Sequence, residues 1–567
     1  MRYFVFLMAM LALLIGCSNP VSRSDASTAV SLETAVPIPQ HTTQPTLPPP
    51  LIQPSAQPTI QPTNSPTPPP TATPPPPSIS NPVDAELAEK AAAYGLDVTA
   101  VSDANSGVWQ FTANSFIHPL ALDVRGDTAY LLDAGRVLAI NLTAPQPPAI
   151  LLEPGQAIEG VRVLEPLDLA VTDSELLALD RAGDVYAYDF AAQSWRIDRY
   201  DRAPRLDSAN HYYVALAGVG NGRFLLDTNY NYVKRYAAAE GDAGWLLPDS
   251  RGVDVAVQGE NVYVLLREMD SRAGLLNAYQ YTASRPAFRP NISIEQPRQV
   301  AATETAVYVL DQAGERILVL QPQTGALQAV IQSPPETSAM WAGDDGRLIL
   351  AGRDALYFVN EPGRRDWVES TAVLVGPQPH DPALFAALPP LRLPIGITLP
   401  QRDLQLPGAP RHYRLGVHQG IDLYWRRGAE VTAVADGTVV RATLDYTDPD
   451  TYDFAAWDSE TQSLGYTSDA ALDFYRGRQV WVQHEGGLLS RYAHLESVAG
   501  GVVTGTAVIQ GQLLGTVGNS GTPSSLLTGK PDTHIHFDLW LGDHYIGQYL
   551  RPVETREWLE QILGIDE

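Results

Sequence analysis

The spacing of apolar and polar positions changes character several times along the 567-residue chain. After Met1-Arg2 comes one unbroken apolar run, Tyr3 to Ile15. At thirteen residues the run is too short to span a bilayer and has the form of a secretory signal, residues 1–16. From Ser18 to Pro82 apolar periodicity vanishes, and nineteen of the 47 prolines fall there among Thr, Gln and Ser. Such a segment favours extended polyproline conformations and buries no core, so residues 17–82 read as a disordered tether. At ~3.1 Å per residue it reaches roughly 200 Å when fully stretched. Residues 83–95 carry a short helical pattern.

From residue 96 to 372 strand-like alternation takes over and repeats. The unit is a small-apolar strand, a polar turn, then a Tyr/Leu/Val strand. Its copies end at Asp133, Asp180, Asp227, Arg267, Asp311 and Gly352, spaced 47, 47, 40, 44 and 41 residues apart. Most copies add a further strand, such as Arg136 to Asn141 or Arg316 to Leu320. One small sheet cannot cover its own faces, so this period predicts radial stacking into a β-propeller. Six units predict six blades; a seventh follows if the segment from Asn105 to Ser115 closes a ring. The pattern resembles NHL- or YVTN-like extracytoplasmic propellers. The recurring Asp133, Asp180, Asp227 and Asp311 read as caps of strands and turns rather than cation ligands. With no nucleophile or histidine cluster, the repeat reads as a spacer or as a platform for a protein or glycan partner. Residues 373–387 form a linker.

Composition narrows the function. With 38 basic and 64 acidic side chains the net charge is −26, which argues against nucleic acid, whose binding needs cations on phosphates. A single cysteine excludes an intramolecular disulfide and a multi-cysteine zinc cluster, so a metal here rests on histidine and carboxylate. That cysteine closes the sequence Leu14-Ile15-Gly16-Cys17, which resembles the lipobox of bacterial lipoproteins. The resemblance implies lipidation of Cys17 and an extracytoplasmic chain anchored to the bacterial membrane through its lipid. Cleavage before Cys17 also removes Arg2, giving −26 − 1 = −27.

The chemistry lies in residues 388–567. Seven of eleven histidines fall between His412 and His544. His418 and Asp422 are four apart in a β-forming stretch, an even spacing that puts both on one face of a strand. His534 and His536 share a strand face two apart, and His494 follows Tyr492. A catalytic zinc takes three protein N or O ligands and keeps a position open, which two histidines and one carboxylate satisfy, leaving two histidines for proton work.

These residues resemble the lysostaphin/LytM-type zinc metallopeptidases, cell-wall endopeptidases of β-sandwich fold that cleave peptide crosslinks of peptidoglycan. The match includes His418-Gln419-Gly420-Ile421-Asp422, Asp436-Gly437, Tyr492-Ala493-His494-Leu495, Ser520-Gly521 and His534-Ile535-His536-Phe537. It implies Zn2+ held by His418, Asp422 and His536, with His494 and His534 as the catalytic pair, one to accept a proton from water and one to stabilise the oxyanion. His484 reads as structural, and His412 and His544 as cleft-edge or surface residues. Two stretches exceed a minimal domain: residues 443–477, with eight acids and one arginine, and Ser524 to Thr533. Both are expected as loops beside the groove. All five site positions are filled, which favours an enzyme over the alternative of an idle wall-binding lipoprotein that recruits another hydrolase. A cover over the cleft from the propeller or from Pro377 to Pro407 is a further expectation.

Overall fold

The computed structural model describes residues 98–100 and 107–110, most of 116–366 and all of 387–565, with positions 88, 89 and 92 of the short helical segment. The signal, Cys17, the tether and the linker up to residue 386 lie outside the described residues. Among the described residues no helix is long and apolar enough to cross a membrane.

Six sheets, each built on an antiparallel meander, follow one another in sequence. Their first strands are Pro119–Arg125, Pro166–Val171, Tyr213–Val219, Ser250–Gln258, Pro297–Ala302 and Ala339–Ala342. Each touches the next and the sixth returns to the first, closing a ring. Gly107–Gln110 pairs with Ala355–Val359 in the sixth sheet, so the start of the repeat region completes the last sheet instead of forming a seventh. Second strands such as Leu176 to Leu179 and Val262 to Leu266 are buried throughout, because both faces of every sheet are covered by neighbours.

The recurring aspartates do cap. Asp133 accepts from the backbone N–H of Ile117 at 2.8 Å and of His118 at 2.7 Å. Asp180 accepts from Leu164 at 2.8 Å, Asp227 from Tyr212 at 3.2 Å, and Asp311 from Gln296 at 2.7 Å. Each ties down the turn that leads into its own sheet's first strand. A second series joins neighbouring sheets: Asp123 accepts from Val171 N–H at 2.7 Å, Asp168 from Leu216 at 2.7 Å, and Asp254 from Val300 at 2.8 Å.

The carboxy-terminal domain is a β-sandwich. Its larger sheet runs Ile421–Tyr424, His534–Leu541, Leu488–Ala493, Val480–Gln483, Gly437–Ala442 and Ala507–Val508. A three-stranded sheet of Glu430–Thr432, Leu513–Val517 and Leu495–Val498 lies against it. Along His534–Leu541 the pleat sends Ile535, Phe537, Leu539 and Leu541 into the core between the sheets. Leu391, Ile395, Leu399 and Leu406 are buried in this same core, so the latter part of the segment expected as a cover is integral to the domain.

The insertion is helical rather than a loop: α1 spans Thr451–Leu464 and α2 spans Asp469–Arg476. Asp450 caps α1 by accepting from Tyr452 and Asp453 N–H, and Ser468 caps α2 through Ala471 N–H. The reason is local, since each helix carries its own N-cap and ends at a glycine, Gly465 or Gly477. Phe454 and Trp457 of α1 pack on Phe474 of α2 at 5.1 and 5.6 Å between ring centres. The shorter extension contains a turn of 3-10 helix, Pro523–Leu526. Lys530 joins it to the insertion through Asp448, 3.2 Å away.

The last helix, α3 (Pro552–Ile562), docks on the mouth of the propeller. Glu554, Glu557 and Glu560 recur every third position and meet propeller side chains: His118 to Glu554 at 2.9 Å, Arg298 and Arg267 to Glu557 at 2.5 and 2.9 Å, Arg272 to Glu560 at 3.1 Å. Arg551, just before the helix, enters the ring and donates to the carbonyls of Leu120 at 2.8 Å and Val253 at 3.1 Å, with Asp168 at 3.3 Å. Removing this buried cation leaves the buried Asp168 without its counter-charge, so Arg551→Ala is expected to cost about 3 kcal/mol. The check is an earlier urea midpoint for the full chain, partly restored in Arg551→Lys.

Candidate metal centre

Asp422 and His536 are direct partners across paired strands, as are Tyr424 and His534. His418 reaches them differently from the expectation of a shared strand face, because the strand begins only at Ile421. Residues 418–420 form a bend that crosses the neighbouring strand. At Gly420 a Cβ would collide with Asp538 Oδ1 and lie 2.6 Å from the carbonyl oxygen of Phe537. Only glycine permits this approach, and it brings His418 over Asp422.

Three atoms then converge. His418 Nε2 lies 2.8 Å from Asp422 Oδ1 and 3.0 Å from His536 Nδ1, which is itself 2.9 Å from Asp422 Oδ1. The other nitrogen of each ring is committed outward. His418 Nδ1–H donates to the Leu406 carbonyl at 2.9 Å, and His536 Nε2 faces the Asp538 carboxylate at 2.5 Å. Carbonyl and carboxylate oxygens only accept, so in the neutral rings the inward nitrogens carry lone pairs. Two imidazole nitrogens and a carboxylate oxygen aimed at one point could hold a cation, and the N/N/O set suits a divalent transition metal.

For His418 the electrostatics agree. Burial, followed by the Arg411 charge, pushes His418 down to about 3, so it is neutral. Burial would raise the Asp422 carboxyl, yet His418, His536 and Arg411 hold it well below the usual range. Burial works to lower His536, but the Asp538 carboxylate outweighs it. Asp538 in turn receives Arg476 at 3.2 Å, and Arg476 donates to Gln419 at 2.7 Å.

The structure brings His494 and His534 to the same place. Their rings are 4.7 Å apart, and His534 Nε2 lies 3.9 Å from Asp422 Oδ1. His494 joins strands of the two different sheets and takes a φ of 60°, a left-handed conformation held by its N–H donating to the Arg476 carbonyl at 2.9 Å. Its Nδ1–H donates to Ser520 O at 2.8 Å, and that of His534 to Asp532 O at 2.7 Å. Both Nε2 atoms are therefore left as acceptors. Burial lowers both rings, His494 further through its histidine neighbours, so both are neutral near pH 7. Tyr424 stacks on His534 at 4.7 Å.

His484 is structural, bridging Asp436 O at 2.8 Å and Ser490 Oγ at 2.7 Å. His544 is half-buried and meets Gln548 at 3.1 Å. His412 is not at the surface: it is buried, 3.0 Å from the His211 carbonyl of the propeller, because the chain before His418 runs against that domain. Sequence reasoning missed Asp538, the next residue after His534 and His536 on one strand face, which alternation marks. It also missed Arg411, whose Nη2 lies 2.8 Å from Asp422 Oδ2 and which no local pattern marks.

Residues 416–548 match Peptidase family M23, and this part of the chain is a LytM-type domain of that family, whose members are typically metal-dependent. No curated protein matches the chain. Among solved structures, a streptogramin B lyase shares 9% identity, with 45% of this chain and 97% of that one covered at a TM-score of 0.34. A virginiamycin B lyase from Staphylococcus aureus shares 12% over 45% and 99%, at 0.31. The N-terminal domain of Nup159 shares 9% over 43% and 76%, at 0.29. These likenesses carry no argument about function. The chain is thus a β-propeller followed by an M23 peptidase domain.

Asp538→Ala removes the carboxylate that faces His536 Nε2, and losing the partner behind a ligand of this kind weakens metal binding by about 10- to 100-fold. Titration of the full chain with a divalent metal against a chromophoric chelator reads this directly; Asp538→Glu is expected to retain more affinity than Asp538→Ala.

Proposed function

We propose that the protein is a lipid-anchored, extracytoplasmic zinc metalloendopeptidase that hydrolyses peptide crosslinks of peptidoglycan. The observation that carries this reading is the convergence of three lone pairs on one point with two neutral histidines alongside. His418, Asp422 and His536 would hold Zn2+, which supplies Lewis acidity that makes a water acidic near neutral pH and polarises a carbonyl. Neutral His494 and His534 each present an Nε2 lone pair able to take the water's proton. Neither has an Nε2 proton to give before that transfer, so donation to an oxyanion or a leaving amine falls to whichever has become protonated. The carbonyls of Ser520 and Asp532 fix both ring orientations, and Tyr424 supports His534 by stacking.

The helical insertion supports a role in substrate selection. α1 neighbours the turns His412–Arg414 and Pro523–Leu526, on either side of the site in sequence. It displays Tyr452 with 83% of its surface exposed, and exposed aromatics beside an acidic helix suit polar peptide strands. Anchoring rests on Cys17 and its resemblance to a lipobox, with the proline-rich tether giving the reach to the wall.

The test is digestion of purified peptidoglycan by the full chain, with fragments identified by mass. Peptide cleavage is expected, abolished by chelator and in His418→Ala, and reduced about 10²- to 10⁴-fold in His494→Ala and His534→Ala. Fractionation of cells should release Cys17→Ser from the membrane. Wall binding without fragments, with any lysis dependent on a second hydrolase, would instead establish the idle recruiter.

A further inference from the structure

The ten residues from Asp403 to His412 form a strap between the two domains, and their contacts alternate. Three grip the propeller side. Asp403 pairs with Arg251 of the propeller at 3.3 Å and with Arg556 of α3 at 3.0 Å. The Gly408 carbonyl accepts from Arg181 at 3.4 Å, and His412 meets the His211 carbonyl at 3.0 Å while its ring fills the space beside Gly183. Between these anchors, two others reach the metal ligands: Leu406 O accepts from His418 Nδ1 at 2.9 Å, and Arg411 Nη2 donates to Asp422 Oδ2 at 2.8 Å. Backbone pairing of Gly408 and Ala409 with His418, at 2.7 and 2.8 Å, stiffens the connection.

We infer that the propeller is part of the metal centre's support: it holds the strap that orients His418 and Asp422, with Arg411 a positioning residue acting through Asp422. A ligand set held rigid before the ion arrives binds it more tightly than one that must be ordered on binding. The Leu406 carbonyl fixes the tautomer and rotation of His418. Arg411 engages Oδ2, so Oδ1 is the oxygen presented to the histidines. Both contacts belong to a strap whose position is set from the propeller. The propeller then has a role in the site without touching substrate.

This inference rests on the metallopeptidase reading, and the experiment separates the two. Zn2+ affinity of the full chain is measured by competition with a chromophoric chelator, with folding followed by circular dichroism. Arg251→Ala and His412→Ala loosen the strap from the propeller and are expected to weaken Zn2+ binding about 10- to 100-fold. His412→Gln retains a donor for the His211 carbonyl and should recover most of the affinity. Arg298→Ala breaks an ion pair of α3 with the propeller but leaves the strap alone, and should bind Zn2+ within about twofold of wild type. Wild-type affinity in both strap variants, or an equal loss in Arg298→Ala, would overturn the inference. If wild-type protein binds no Zn2+, or His418→Ala binds it unchanged, the metallopeptidase reading itself fails.

Discussion

The convergence of His418, Asp422 and His536 on one point is the constraint on which the rest of the site depends. His418 Nε2 and His536 Nδ1 turn inward on Asp422 Oδ1, while their other nitrogens face the Leu406 carbonyl and the Asp538 carboxylate. Burial removes the water that would screen them. The features around the site read as means of keeping this arrangement: the Gly420 bend, the strand pairing of Asp422 with His536, and the outer partners Asp538, Leu406 and Arg411.

Strain and rigidity are matched to that need. His494 takes a left-handed backbone where the chain passes from one sheet to the other, a conformation that costs of order 1–3 kcal/mol for a non-glycine residue. The Arg476 carbonyl and Ser520 carbonyl over-determine it. Arg476 closes α2 and also reaches Asp538, so the insertion is coupled to both His536 and His494. The propeller completes the scaffold, since its mouth receives α3 and Arg551 from the peptidase side. That mouth is occupied by the chain's own residues, so any external partner of the propeller would meet other surfaces.

Legibility followed the range of the interaction. Alternation and the repeat period marked the strands of the ring, and the capping role of Asp133, Asp180, Asp227 and Asp311 followed from their positions at strand ends. The linking aspartates Asp123, Asp168 and Asp254 recur too, but their partners lie in the next sheet, which a single repeat does not display. His418, Asp422, His494, His534 and His536 were each visible from short motifs. The helices of the insertion were hidden by acidic, aromatic composition, although Asp450 and Ser468 stand as N-caps in plain view. Arg411 and His412 differ, because one meets a carboxylate eleven residues on and the other a carbonyl 201 residues away.

The sequence by itself determined the succession of signal-like, proline-rich, repeating and histidine-bearing segments, and the residue types able to bind a metal. Those properties depend on neighbours within a few positions, where periodicity and backbone preference act. Only the tertiary structure decided that His418 arrives by a bend rather than along a strand, that α3 closes the propeller's mouth, and that one strap serves both domains. Each of these needs groups brought together from distant parts of the chain. Their hydrogen bonds and ion pairs arise once hydrophobic burial has closed the ring and the sandwich, and no local pattern encodes them.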